Sequence, residues 1–268
     1  MILLLALAVQ SLFNGHSLDG WQPAAGVAAN GSWVIDGDAI ATAKPGGGRY
    51  DLLSRPIPAD FDLIFDYKLA PGSNTGVKYF VRHSLFYETG GADFARGAAA
   101  IGPELQLVDD VSLEVPKPDQ KTGALYGLLA PEKPARASAG QWNTARIICR
   151  SLRCEHWING ERVLRIDFTA PAMREKALAL ASNPGATISA TGALAVAHLR
   201  PGAASIALQH HSGKAWFRNI RVAPASVARR AVGQLKSVRL TSHQSPASAT
   251  SAEIMGTPRA TNRSFFRS

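Results

Sequence analysis

Cysteine is scarce: the chain of 268 residues holds two, Cys149 and Cys154. Neither belongs to a Cys-x-x-Cys pair or to a Cys/His set with zinc spacing, which excludes a structural zinc site. The apolar N-terminal run, Met-Ile-Leu-Leu-Leu-Ala-Leu-Ala-Val, is far too short to span a bilayer, so no membrane span is expected. The triple glycine Gly46-Gly47-Gly48 lacks a Lys-Ser/Thr pattern and a following helix, which makes it a poor phosphate loop. Long helical patterning is missing too. What remains is a chain of turns and short strands.

The formal net charge of +9 invites a nucleic-acid reading, but the charge is in the wrong place for one. From Pro224 onward, seven basic residues face a single acid, Glu253, so that stretch carries +6 and residues 1–223 only +3. No basic stripe with interleaved aromatics stands out, and no nucleic-acid partner is expected. The tail over 224–268 is Ser/Thr/Ala/Arg-rich without periodicity and is expected to be disordered. Residues 1–10 resemble the apolar part of an export signal, although a basic leader is missing, and this predicts a periplasmic or secreted protein. A first buried strand is the competing reading. Between them, residues 11–223 are expected to form one domain.

Hydrophobic residues make up 46% of the chain, enough for a sizeable core, and 24 glycines with 16 prolines favour turns. Trp33-Val-Ile before Asp36-Gly37 predicts a hairpin. Phe61 to Leu69 alternates, with Phe61, Leu63, Phe65, Tyr67 and Leu69 on one face. Val77 to Arg82 returns, with Val77, Tyr79 and Val81 opposite Lys78, Phe80 and Arg82. Residues 84–101 are Gly- and Ala-rich without a period and read as a loop. Trp142 to Arg150, Arg153 to Ile158 and Arg162 to Asp167 follow as strands, joined by Ser151-Leu152 and Asn159-Gly160. One short helix is expected from Pro171 to about Ala181, while 182–203 carry no clear pattern. Ser205 to His211 and Ala215 to Val222 complete the series. About ten short strands at this spacing predict a β-sandwich or barrel.

If Ser151-Leu152 is a two-residue loop, Arg150 pairs with Arg153, and Cys149 faces Cys154 in the next pair. Cα atoms there approach to roughly 4.5 Å, near the short end of disulfide geometry. A cross-strand bridge and two reduced core thiols are both compatible with that pairing.

The stretch Gly102 to Asp110 stands out in so basic a chain. Leu105 and Leu107 lie on one face, Glu104, Gln106 and Val108 on the other, and Asp109 and Asp110 close the run. It reads either as a solvated strand face with an acidic turn or as a site. Ordered motifs around it carry a family resemblance. They are Leu12-Phe-Asn-Gly with Leu18-Asp-Gly-Trp21, Asn74-Thr-Gly-Val77, Glu104 to Asp110, and Thr122-Gly-Ala-Leu-Tyr-Gly127. Then come Trp142-Asn-Thr-x-Arg-Ile147, His156-Trp-Ile-Asn-Gly160, and Ile206-x-Leu-Gln-His-His211 with Trp216-Phe-Arg-Asn-Ile220. In this order, from about Leu12 to Val222, the chain resembles the 3-keto-disaccharide hydrolase family. It departs from the family mainly in 182–203 and in the tail.

The resemblance implies an all-β fold: a concanavalin-A-like jelly roll of two curved antiparallel sheets with a carbohydrate-binding face. It also implies a carbohydrate substrate, a glycoside oxidised to a ketone at sugar carbon 3. A ketone there acidifies the proton on carbon 2, so removing it and expelling the substituent on carbon 1 is a β-elimination, and water completes a net hydrolysis. Such chemistry needs a base, a group that steadies the enolate, and an acid for the leaving oxygen. On this basis Glu104, Asp110, His156 and His211 are candidate acid, base or ligand groups. Lys78, Arg82, Gln106, Asp109, Tyr126 and Gln209 are candidate sugar-binding residues. His210 falls on the opposite face from His211 if the strand is regular. The Glu/Asp/His set could also hold a divalent metal ion, and no cofactor is certain. Three other readings stay open: a non-catalytic carbohydrate-binding module on the same sandwich, a structural or adhesion domain with no small ligand, and an ordinary two-carboxylate glycosidase.

Overall fold

In the computed structural model of the protein, the described residues are 9–26, 31–43, 48–89, 95–113, 117–182 and 187–225. Most of the expected export segment and all of the tail beyond Ala225 lie outside them. The strands, in chain order, are β1 (Gln10–Ser11), β2 (Trp21–Pro23), β3 (Trp33–Asp36), β4 (Ala39–Thr42), β5 (Arg49–Tyr50), β6 (Leu52–Ser54), β7 (Phe61–Leu69) and β8 (Asn74–Val81). They continue as β9 (His83–Thr89), β10 (Ala95–Ile101), β11 (Glu104–Val108), β12 (Asn143–Arg150), β13 (Arg153–Ile158), β14 (Glu161–Asp167), β15 (Ser205–Leu208) and β16 (Ala215–Pro224). Two helices, α1 (Pro171–Ala181) and α2 (Thr187–Ala197), lie between β14 and β15.

The larger sheet runs β14-β13-β12-β7-β16-β4-β3, with β1 added on β16. The opposing sheet runs β11-β8-β15-β6-β2, and a small third sheet, β5-β10-β9, contains the parallel pair β5/β10. This is the all-β sandwich expected from the strand count. Its core sits between the two main sheets: Phe61, Leu63, Phe65 and Tyr67 of β7 meet Val77, Tyr79, Leu105 and Leu107 of β8 and β11. Period-two alternation leaves the other face of each strand free, which on β7 is Ile64, Asp66 and Lys68, and on β8 and β11 is the site described below. Trp21 and Trp33, buried at the sandwich's flank, each satisfy the indole N–H on a backbone carbonyl, of Leu12 and Tyr50.

The hairpins follow their turn residues. Ser151 and Leu152 (φ 47° and 61°) and Asn159 and Gly160 (φ 48° and 80°) make two-residue turns of the primed type, whose twist matches that of the strands. The first turn sets Arg150 against Arg153 and Cys149 against Cys154, and the two cysteines are disulfide-bonded with Cα atoms 4.1 Å apart.

Three expectations are corrected. Residues 84–101, read as a loop, contain β9 and β10. The reason is compositional: at Gly97 a methyl group would run into the Arg49 carbonyl, so this strand is built from small residues and has no apolar alternation to read. A second helix, α2, occupies much of the featureless stretch 182–203; it packs on α1, and its low-propensity Thr, Ser and Gly residues give little local signal. The simple alternation of β8 also fails at its end. Phe80 has φ 54°, β15 shifts register opposite it between Ser205 and Ala207, and Phe80 joins Tyr79 in the core beside Phe61 and Phe168. The slip moves Val81 to the Lys78 face, with Ala100 and Ala207, and removes Arg82 from it.

The Cys149–Cys154 bridge closes so short a loop that chain entropy gives it about 2 kcal/mol. Reduction is expected to lower Tm by roughly 4–8 °C for a domain of this size. A melting curve unchanged by reductant, with both thiols shown free, would contradict this.

Candidate functional site

The outward face of the five-stranded sheet carries the acidic strand's other half. β11 pairs with β8 so that Glu104 lies opposite Lys78 and Gln106 opposite Gly76. Glu104, Lys78 and Gln106 line a cavity of about 270 Å³ bordered by Ala99 to Pro103, by the turn Leu125–Leu128 and by the helical pair. Glu104 leans diagonally across Gly76: a methyl group there would collide with Oε1 and with the carboxyl carbon. Glycine is thus required at 76 by close approach of the Glu104 side chain, not by its φ angle.

Lys78 lies at the centre. Its Nζ is 2.8 Å from Asp51 Oδ2 and 4.0 Å from Glu104 Oε2, and all three side chains are almost wholly buried. Asp51 is held rigidly: Oδ2 also accepts from the Ala100 amide at 2.9 Å, and Oδ1 from the His210 amide at 3.0 Å. Burial alone pulls the Lys78 pKa down, but the charges of Asp51 and Glu104 more than offset it and the net shift is upward, so this amine stays an ammonium. Glu104 goes the other way. Burial raises its carboxyl to about 7, against the pull of Lys78 and with help from the charge on Asp51. A carboxyl poised near neutrality beside a fixed cation is what proton transfer at neutral pH requires.

Hydrogen-bonding amides frame the carboxylate. Gln209 donates from Nε2 to Glu104 Oε2 at 3.2 Å and its backbone N–H bonds the Gly76 carbonyl. Gln106 donates to Asn74 Oδ1 at 3.1 Å. The amide oxygens of Gln106 and Gln209 are buried and accept no hydrogen bond from the protein. Buried acceptors of this kind are expensive unless a ligand donor or water meets them, and both border the cavity.

Of the residues expected at a shared site, the structure brings Glu104, Lys78, Gln106, Tyr126, Gln209 and His211 to this cavity. It places the others elsewhere. His156 is wholly buried in the core between the sheets, its Nε2 3.0 Å from Tyr79 Oη and its Nδ1 3.0 Å from the Gly123 carbonyl. Burial depresses it to about 4, so it is a neutral tie between layers. Asp109 turns back into its own loop and accepts from the amides of Gly72, Val111 and Ser112, bonds that with the Ser112 side chain hold it at about 2. Asp110, exposed, accepts from the Thr122 amide. Arg82 donates to the carbonyls of Arg200 and Gly202 and borders a different groove, as the slip at Phe80 dictates.

Asp51, Asn74, Tyr87 and His210 border the cavity without having been singled out as site residues. Asp51 sits alone between Tyr50 and Leu52, and no local spacing ties it to a lysine 27 residues away. His210 shares the cavity with His211 because β15 ends at Leu208 and alternation no longer applies. Gly76, inside the motif Asn74-Thr-Gly-Val77, was the available hint. Among the described residues no group of three or more His, Cys, Asp and Glu side chains is placed to hold a metal ion.

Comparison with known proteins adds the following. The family model described as the 3-keto-alpha-glucoside-1,2-lyase-like domain matches residues 8–223. A Bacteroides thetaiotaomicron protein named 3-keto-disaccharide hydrolase is 25% identical over 227 residues, covering 79% of this chain and 77% of its own. Two solved structures from Parabacteroides distasonis share the fold, each at 22% identity. One superposes with a TM-score of 0.62 over 81% of this chain and 93% of its own, the other with 0.56 over 80% and 98%.

The His156 environment has a pH signature. Its folded value lies below that of the unfolded chain, so its contribution is complete above about pH 6.5 and is lost as pH falls towards 4, amounting to about 3 kcal/mol. Glu104, raised in the fold, acts oppositely, with stability present at low pH and lost as pH rises through 7. Comparing urea unfolding of the wild type and His156→Gln from pH 7 to 4 cancels the Glu104 part. The stability gap between the two is expected to shrink by that amount; a constant gap would contradict a buried neutral His156.

Proposed function

The chain belongs to the 3-keto-alpha-glucoside-1,2-lyase-like family, and from that premise we propose that it cleaves 3-keto-glycosides at the cavity over Glu104. The observation that carries the proposal is the buried pairing of Glu104, its carboxyl raised to about 7, with the Lys78 ammonium held by Asp51. Glu104 as carboxylate takes the proton from sugar carbon 2. The electron pair of that C–H bond forms the carbon–carbon double bond of an enolate, and the charge gathers on the carbon 3 oxygen. Lys78 faces that oxygen with a donor and a full positive charge. Collapse of the enolate restores the ketone, shifts the double bond to carbons 1 and 2 and expels the leaving oxygen from carbon 1 with its bonding pair, and a proton completes the departing hydroxyl. Glu104 supplies that proton, the one it took from carbon 2, while His211, its pKa lowered mainly by burial and so neutral where Glu104 is ionised, lines the cavity as a hydrogen-bonding group. Water then adds across the double bond, oxygen to carbon 1 and hydrogen to carbon 2, to give the free 3-keto sugar.

The open amide oxygens of Gln106 and Gln209 accept from sugar hydroxyls, and Tyr126, half-buried on the turn beside Glu104, flanks the ring. A carbohydrate relative's name and the all-β sandwich support the substrate class, and the catalytic roles rest on the cavity's chemistry. The disulfide and the apolar N-terminus support the accompanying proposal of a periplasmic or secreted location.

The test is release of glucose-type sugar from 3-keto-trehalose run in D2O. Elimination and hydration install deuterium at carbon 2 of the product, whereas direct glycosidic hydrolysis leaves that hydrogen untouched. Glu104→Gln is expected to lower kcat/KM at least 100-fold with little change in Tm. Activity of the wild type should rise with pH and level off above the Glu104 value of about 7. Gly76→Ala, which displaces the carboxylate without removing it, should cost at least tenfold. Binding without turnover would support a carbohydrate-binding module instead, and full activity of Glu104→Gln would remove Glu104 as the base.

A further inference from the structure

The cavity over Glu104 is chemically two-sided. Its polar groups gather on the sheet floor and its rim, on β8, β11 and the segment after β15. The opposite wall is formed by Leu125 and Leu128 of the turn, Leu180 of α1, and Gly192, Ala193 and Val196 of α2. Among the described residues the only side-chain donor or acceptor on that wall is the Tyr126 hydroxyl, which is engaged by Gln120, and the backbone of a helix interior is already hydrogen-bonded to itself. A second sugar laid against it would bury hydroxyls without partners, which is unfavourable. A hydrocarbon surface laid there would gain from leaving water.

Gly192 sharpens the point. It lies within α2, where glycine is among the poorest helix formers, and it is neither at a positive φ nor crowded: a methyl group built on it meets no atom within 4 Å. Among the described residues no packing contact requires glycine there. What its missing side chain preserves is open space on the cavity wall.

We infer that the cavity wall formed by Leu125, Leu128, Leu180, Ala193 and Val196 around Gly192 is the leaving-group subsite and that it takes an apolar aglycone, aryl or alkyl, in place of a second sugar. This rests on the reading of the cavity as a 3-keto-glycoside site, and it narrows the substrate class within it. The polar floor holds the oxidised sugar with Lys78, Gln106 and Gln209, while the apolar wall holds what departs.

The experiment uses the full chain with benzyl 3-keto-α-glucopyranoside as the aryl substrate and 3-keto-trehalose as its pair, since benzyl alcohol is no better a leaving group than a sugar hydroxyl. The aryl glycoside is expected to show a kcat/KM at least tenfold higher. Gly192→Leu, which fills the open space at a position where leucine favours the helix, should raise KM for the aryl substrate at least tenfold without lowering Tm. Equal or better turnover of 3-keto-trehalose would overturn the inference and leave the proposed function standing. An unchanged KM in Gly192→Leu would also overturn it. If neither substrate is cleaved, the proposed function falls, and calorimetry with unoxidised benzyl α-glucopyranoside and trehalose decides the subsite. Tighter aryl binding, lost in Gly192→Leu, supports the apolar wall; equal binding of the two ligands removes it.

Discussion

Asp51, Lys78 and Glu104 leave water together, and much of the cavity's construction follows from that. A buried charge without a partner costs several kcal/mol, so each of the three must be answered within the fold. Lys78 is answered by two carboxylates, Asp51 by Lys78 and two backbone amides, and Glu104 by the Gln209 amide and by a raised pKa that lets it be neutral. Meeting these demands ties five segments to one another: β8 and β11 through their register, the link between β5 and β6 through Asp51, β10 through the Ala100 amide, and the chain after β15 through His210 and Gln209. A slip of one residue between β8 and β11 would turn Glu104 into the core and expose Leu105, so the hydrophobic effect and the charge cluster enforce the same register.

The two faces of the five-stranded sheet divide the work. Val77, Tyr79, Leu105 and Leu107 serve the core, and Lys78, Glu104 and Gln106 serve the cavity, alternating residue by residue along the same strands. His156 belongs to the first set. Between Tyr79 and the Gly123 carbonyl it links the smaller sheet to the larger one and to the turn that carries Tyr126. Its part in the site is indirect: it fixes the layer on whose far side the site lies.

The aromatic ladder on the opposite surface of the molecule shows how little exposure alone says about function. Lys68 lies over both Trp142 and Trp216, and Arg218 over Trp142 at 3.9 Å. These rings are paired with cations close by in the fold. The cavity differs because its acceptors, the oxygens of Gln106 and Gln209, are buried and unmet.

How much was legible in advance depended on the range of the interaction that decides each feature. The strands β7, β12, β13 and β14, both primed turns, the opposition of Cys149 and Cys154, and helix α1 were all readable, because period-two alternation, turn chemistry and a first-turn proline act over a few residues. The acidic strand was readable as two-faced for the same reason. Strand β10 and helix α2 were not, since small residues chosen for close approach carry no period. Nor was the company Glu104 keeps. Asp51 reaches Lys78 across 27 residues and Gln209 reaches Glu104 across 105, while His156 and Asp110, attractive as titratable residues near strong motifs, are spent on the core and a turn. Local pattern determined the sheets and which strand face was polar. Only tertiary packing decided which polar residues share a cavity, because burial and charge compensation are settled between segments that are far apart in the chain.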